Sequence, residues 1–311
     1  MLLEPLLGAQ PRVQEMRGRF GCAMTVDVEE WYHTCLAPRY VRPERRPDLQ
    51  EELDRLLPEL LLRFAEAGRR GTFFVLGEVA ERLPQRVREI AAAGHEVASH
   101  GYLHLRAADR TPAAFRRDLE RSRSVLEDLV GGPIWGFRAP EWSLRRLSNQ
   151  RLPLVEAAGY LYDSSLAPNL VSGSFDNPRF ASLLTWGNGA RLLEFPPLTY
   201  GGVFRLPAGS WTGRLANPER LLKAVREHGA KGGLPVAVVH PWEVSGTPTP
   251  GRLTGLAWFV HETGRDGFDG RFRQLLAACD WGSIQTAARL DVGAWRTGAQ
   301  PAVPGGFRIA G

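Results

Sequence analysis

The chain has 311 residues, 43% of them hydrophobic and 23% charged, with a net charge of +5. These proportions are those of ordinary globular proteins and exclude a mainly disordered, collagenous or coiled-coil architecture. The longest leucine-rich stretch, Leu56 to Phe64, is broken by Pro58, Glu59 and Arg63, so nothing reaches the ~20 apolar residues of a membrane span. Met1 to Leu7 carries Glu4 instead of a basic n-region, and no secretory signal is read there. Cys22, Cys35 and Cys279 stand at unrelated spacings, which argues against a disulfide framework and for a reducing compartment. The basic residues are nearly all arginine, scattered through both halves, and lack the block that would point to nucleic acid. The expected location is cytoplasmic, with a membrane-peripheral position as the alternative.

Residues 1–22 read as a flexible N-terminal extension, with Met24 as an alternative start to Met1. From Ala23 onwards, β-like runs at Met24–Val28, Thr72–Leu76, Glu96–Ser99, Ile134–Phe137, Leu192–Phe195 and Val236–Val239 alternate with helical patterns. The first helix is signalled by Asp48 as N-cap, by Leu53, Leu56, Leu57, Leu60, Leu61 and Phe64 on one face, and by Gly68 as terminator. Pro58 is expected to kink or split it. A second helix opens near Pro84 and ends at Gly94, and a third has Thr111 as N-cap, Pro112 at its first position and Gly131 as its end. Asn217 and Pro218 start a fourth. Residues 164–191 and 241–267 read as functional loops, and 291–311 as a flexible tail. Strands alternating with amphipathic helices predict an α/β fold with a parallel sheet, either open or closed into a barrel.

Ionisable residues collect directly after the expected strands: Asp27 and Glu29 at the first, His100 and His104 after Glu96–Ser99, Arg138 after Ile134–Phe137, and His240 after Val236–Val239. The carboxyl ends of parallel strands share one face, where sites are assembled from several strands at once, so these residues should converge. His100 and His104 stand four apart, a spacing at which both imidazoles reach one zinc-like ion. Asp27 and Glu29 point to the same face of a strand while Glu30 points away. A cation on Glu29 would relieve their repulsion and leave Asp27 free as a base. Arg138 near Asp27 would hold it ionised. His240 is either a packed core histidine or a general acid, and Asp163 either tunes it or caps a turn.

Thr25-Val26-Asp27-Val28-Glu29-Glu30, Ser99-His100-Gly101-Tyr102-Leu103-His104, Arg138-Ala139-Pro140, Asp163-Ser164-Ser165 and Val239-His240-Pro241-Trp242-Glu243 resemble, in order, the five motifs of the polysaccharide deacetylase (NodB-homology) family. The resemblance spans about residues 23–243. It is closest to the branch associated with exopolysaccharide and exosortase loci, whose C-terminal extension (about 194–290) carries it to about residue 290 and leaves 291–311 as a tail. The fold it implies is a distorted, incompletely closed (β/α) barrel with parallel strands. It implies a hydrolase that removes N-acetyl groups from the amino sugars of a bacterial polysaccharide or its precursor, acting on a glycan and associating with glycan-assembly machinery. In the implied mechanism Asp27 is the general base, and Glu29, His100 and His104 hold a divalent metal, usually Zn2+. Arg138 supports Asp27, His240 is the general acid, and Asp163 supports His240. The first motif departs from the family's common pair of aspartates in having a glutamate as metal carboxylate, which leaves Glu29 and Glu30 both open. Trp142, Trp242 and Pro140, with Trp31 and Trp211 nearby, are candidates for contact with sugar. Two alternatives are a hydrolase of small or cyclic amides in the allantoinase-like branch and a glycan-binding barrel without activity.

Overall fold

The computed structural model describes residues 10–34, 51–245 and 253–292, together with a two-residue strand at 308–309. Its strands are β1 (Arg12–Arg17), β2 (Cys22–Val28), β3 (Thr72–Val75), β4 (Glu96–Ser99), β5 (Gly136–Phe137), β6 (Tyr162–Asp163), β7 (Ser182–Thr185), β8 (Arg191–Glu194), β9 (Thr199–Tyr200), β10 (Leu206–Pro207), β11 (Val236–Val239), β12 (Trp281–Gly282) and β13 (Arg308–Ile309). Its helices are α1 (Glu51–Glu66), α2 (Gly77–Arg82), α3 (Pro84–Ala92), α4 (Pro112–Val130), α5 (Leu152–Ala157), α6 (Ser210–Leu215), α7 (Pro218–Ala230), α8 (Gly255–Glu262), α9 (Phe268–Ala278) and α10 (Ile284–Ala288).

The main sheet has the order β11-β2-β3-β4-β5-β6-β8-β7-β1-β13, with β12 pairing alongside the start of β2. From β11 to β8 all pairs are parallel, whereas β7, β1 and β13 close one side in antiparallel pairs. The outermost strands do not hydrogen-bond to each other, so the barrel is incomplete, as expected. Helices cover the parallel part because each crossover must bury an apolar face against it. No helix among the described residues is long and apolar enough to cross a membrane.

Local signals act as read at α4 and α7. Thr111 Oγ1 accepts from Ala114 N at 3.2 Å, Gly131 adopts the left-handed end (φ 71), and Asn217 Oδ1 accepts from Glu219 N at 2.9 Å. Three expectations need correction. Helix α1 is not split at Pro58 but continues through it. An interior proline costs about 3 kcal/mol, but Leu53, Leu56, Leu57, Leu60 and Phe64 are all buried, at about 2 kcal/mol each, and packing wins. Within 1–22, expected to be flexible, β1 is ordered: Arg12 to Glu15 pair with Thr185 to Ser182, and Met16 is buried. Its polar residues Arg12, Gln14, Glu15 and Arg17 hide it from a hydrophobic reading. The 164–191 stretch likewise contains β7, and the 241–267 stretch contains α8. Asp48 and Cys35 lie outside the described residues.

Candidate active site

The site forms at the carboxyl ends of the parallel strands. Asp27 is on β2 and Glu29 just beyond it, His100 follows β4, Arg138 follows β5, Asp163 ends β6 and His240 follows β11. Strand parity sends Asp27 and Glu29 the same way. Glu30 turns to the other side, where its carboxylate lies 3.1 Å from His33 Nδ1 and pairs with Arg82. Glu29 is therefore the carboxylate that meets the histidines.

One potential ligand atom from each of Glu29, His100 and His104 lies within 4.8 Å of the others, and all three residues are buried. His104 reaches Glu29 because the loop between the two histidines doubles back. Gly101 has φ 80, and a Cβ there would come within 3.1 Å of Asp118, while His104 itself is left-handed at φ 39. His100 Nδ1 lies 2.9 Å from the Arg138 carbonyl, which can only accept. That nitrogen must donate, which leaves the Nε2 lone pair directed to the Glu29 side, 3.6 Å from Oε2. Burial opposes charge on Glu29, yet His104 and His100 outweigh it and hold the carboxyl well below its usual range. Both imidazoles crowd the same buried oxygen, Glu29 Oε2, His104 Nε2 the more closely and His100 Nε2 at 3.6 Å. Two imidazoles converging on one ionised carboxylate are a donor set that fits a divalent metal.

Arg138, fully buried, donates through Nη1 to Asp27 Oδ1 at 2.6 Å and to Thr25 Oγ1 at 2.8 Å, and through Nη2 and Nε to Ser164 Oγ and carbonyl at 2.9 and 3.2 Å. Its guanidinium also lies 4.1 Å over the Phe74 ring. Asp27 Oδ2 is left facing the cavity, 4.0 Å from His240 Nε2. The expected pairing of Arg138 with Asp27 is thus present in the geometry.

The partner expected for His240 is different. Glu243, three residues on, accepts from His240 Nδ1 at 2.9 Å and from its backbone N at 2.8 Å. Glu243 is held in turn by the buried Arg214, which also donates to the carbonyls of Thr263, at 3.1 Å, and Val260. Burial disfavours the imidazolium, but Glu243, with Glu29 and Asp27, overrides it and raises His240 to about 9. Asp163 instead accepts from Ser165 Oγ at 2.5 Å, and Ser165 Oγ accepts from Ala139 N at 2.7 Å. Its β6 position, opposite Glu194 on β8, directs it to the backbone that carries Arg138. Sequence reading passed over Thr25, Ser164, Glu194, Arg214 and the role of Glu243. Only the three-residue spacing of His240 and Glu243 offered a signal.

Burial raises Asp163 from 3.8 to about 6, and burial together with the Asp163 charge raises Glu194 well above 4.5. The two buried carboxyls are coupled, and burial favours a proton shared between them over two adjacent charges. Both folded-state values exceed the unfolded ones, so the folded state binds more protons and stability falls as pH rises from about 4 through 6 and beyond. Glu194→Gln mimics the protonated form and is expected to flatten this decline, measured as urea midpoints between about pH 5 and about pH 8. An unchanged slope would exclude the shared proton.

A cavity of about 350 Å³ is lined by Asp27, Glu29, His100, His104 and His240 and by Trp142, Trp211 and Trp242. Pro140 is buried and does not line it, and Trp31 packs beneath with Trp242 and Leu56.

The polysaccharide deacetylase family model matches residues 51–162, a span that includes His100, His104 and Arg138 and leaves out Asp27, Glu29 and His240. The chain is 32% identical over 113 residues to a peptidoglycan deacetylase of Helicobacter pylori, covering 36% of this chain and 38% of the relative. It is 44% identical over 70 residues to a chitooligosaccharide deacetylase of Sinorhizobium fredii, covering 22% of this chain and 30% of that relative. The chain thus spans about a third of the length of these relatives. A candidate polysaccharide deacetylase from Mycobacterium smegmatis has a similar crystal structure, with a TM-score of 0.57 at 24% identity, covering 94% of this chain and 96% of that one. The last is a likeness of fold. The family model and the relatives together support the polysaccharide deacetylase family.

Proposed function

We propose that this chain is a member of the polysaccharide deacetylase family and a zinc-dependent hydrolase that removes N-acetyl groups from amino sugars of a bacterial exopolysaccharide or its precursor. One observation carries the reading: Glu29, His100 and His104 offer three ligand atoms within 4.8 Å, in the same cavity as Asp27 and His240. The relatives act by name on peptidoglycan and chitooligosaccharides. Residues 194–290 supply Ser210, Trp211, His240, Trp242 and Val260 to the cavity wall.

Glu29, His100 and His104 would hold the ion, and the nitrogen-rich set suits zinc. When bound, it supplies Lewis acidity that polarises an acetamide carbonyl and lowers the pKa of water from about 16 to about 7. Asp27 acts as base through Oδ2, since Arg138 occupies Oδ1. His240, held protonated by Glu243, gives its Nε2 proton to the departing amine. The products are acetate and the free amino sugar. Trp142, Trp211 and Trp242 form the walls against which a sugar ring packs.

Purified protein is expected to release acetate from N-acetylglucosamine oligomers and to stop on addition of a chelator, with zinc restoring the rate. Acetate release that persists after full metal removal would overturn the metal-dependent reading. Turnover of small ureides alone would replace the glycan substrate.

A further inference from the structure

Among the described residues, five of the seven non-glycine positions with left-handed backbone line the cavity: His104, Glu141, Trp142, Arg145 and Ser210. Side chains disfavour this conformation, and its concentration at one site marks geometry maintained for function. Three of the five fall within Glu141 to Arg145, the segment that follows the Arg138 motif.

That segment is locked from behind. Leu144 is fully buried, and its carbonyl accepts from Asn149 Nδ2 at 2.8 Å. The Arg145 carbonyl accepts at 2.8 Å from Nδ2 of Asn177, a buried amide that also donates to the Ala167 carbonyl at 2.9 Å. Arg145 N donates to the Trp142 carbonyl at 3.0 Å. The backbone is therefore fixed while the Arg145 side chain stands exposed at the cavity mouth, with no ion pair or hydrogen bond among the described residues. The other charges differ in this respect. Asp27 is neutralised by Arg138, Glu29 belongs to the histidine cluster, and Arg106 donates to Asp109 at 2.8 Å. Glu141 sits by His104, on which its charge acts. An exposed guanidinium with unused donors, carried on a fixed backbone at the cavity mouth, is a receptor for a carboxylate or phosphate.

We propose that Arg145 forms an anion subsite at the mouth of the cavity and selects amino-sugar substrates that bear a carboxylate or phosphate near the acetamide. The inference rests on the deacetylase reading above and names its substrate class. Glu141 repels an anion from the His104 side, so the charged substituent lies toward Arg145.

The test compares kcat/KM for acetate release from three sets of N-acetylglucosamine oligomers of equal length: neutral, carboxylate-bearing and phosphate-bearing. Wild-type protein is expected to prefer a charged set by about tenfold at low salt, and the better of the two charged sets identifies the anion. In Arg145→Gln that preference is expected to disappear, with the loss in KM rather than kcat, and thermal unfolding checks that the exposed substitution leaves the fold intact. Acetate release with no charge preference, or a preference retained in Arg145→Gln, overturns the subsite and leaves the deacetylase reading standing. Failure of every oligomer to release acetate overturns both.

Discussion

Asp27→Asn is expected to retain metal and to lose turnover by about 10²- to 10⁴-fold, the range attributable to a positioned general base. The substitution is nearly isosteric and leaves Glu29, His100 and His104 in place, so metal content per chain, read by elemental analysis, should match the wild type. It does not leave the interior unaffected. Arg138 is fully buried and pairs closely with Asp27, and removing one partner of such a pair costs about 3–5 kcal/mol. Part of that cost is offset, because Thr25 Oγ1 and both oxygens of Ser164 still accept from the guanidinium. A lowered melting temperature is therefore expected alongside the kinetic loss, and the two separate cleanly: kcat is measured well below the variant's own unfolding. Near wild-type kcat would remove Asp27 from the role of base, whereas loss of metal would assign it to the ligand set.

The parts of this molecule that could be read in advance are those governed by short-range chemistry. Thr111, Pro112 and Gly131 delimit α4 because a cap, a fixed φ and a left-handed end act within one turn. The convergence of Asp27, Glu29, His100, Arg138 and His240 was legible because parallel strands put their carboxyl ends on one face whatever the exact topology. What escaped depends on distant partners. β1 is a strand because β7 offers it an edge, and nothing in Arg12 to Arg17 signals that. Pro58 sits inside α1 because the core holds both halves of the helix. Arg214 is far in sequence from the carboxylate it holds, and Asp163, though in a recognisable motif, serves the Arg138 backbone while Glu243 takes His240. Local sequence identifies a carboxylate and leaves its partner to the tertiary structure.

His104→Ala is expected to abolish metal retention and, with it, chelator-sensitive acetate release. Of the two histidines, His104 makes the closer approach to Glu29, and it is buried at the end of a loop that exists to bring it there. Two remaining ligands, Glu29 and His100, do not complete the three-residue set that a catalytic zinc site uses. The variant must be distinguished from one that merely misfolds, since His104 has φ 39, and alanine in the left-handed region costs about 1 kcal/mol or more. His104→Asn supplies the control, because asparagine tolerates that conformation while its shorter side chain draws back from the point where Glu29 and His100 meet. Both variants are expected to keep wild-type circular dichroism and lose stoichiometric zinc in equilibrium dialysis. Zinc bound at one equivalent by either folded variant, with wild-type affinity, would take His104 out of the ligand set and leave the pairing of Glu29 with His104 as an internal ion pair of the fold.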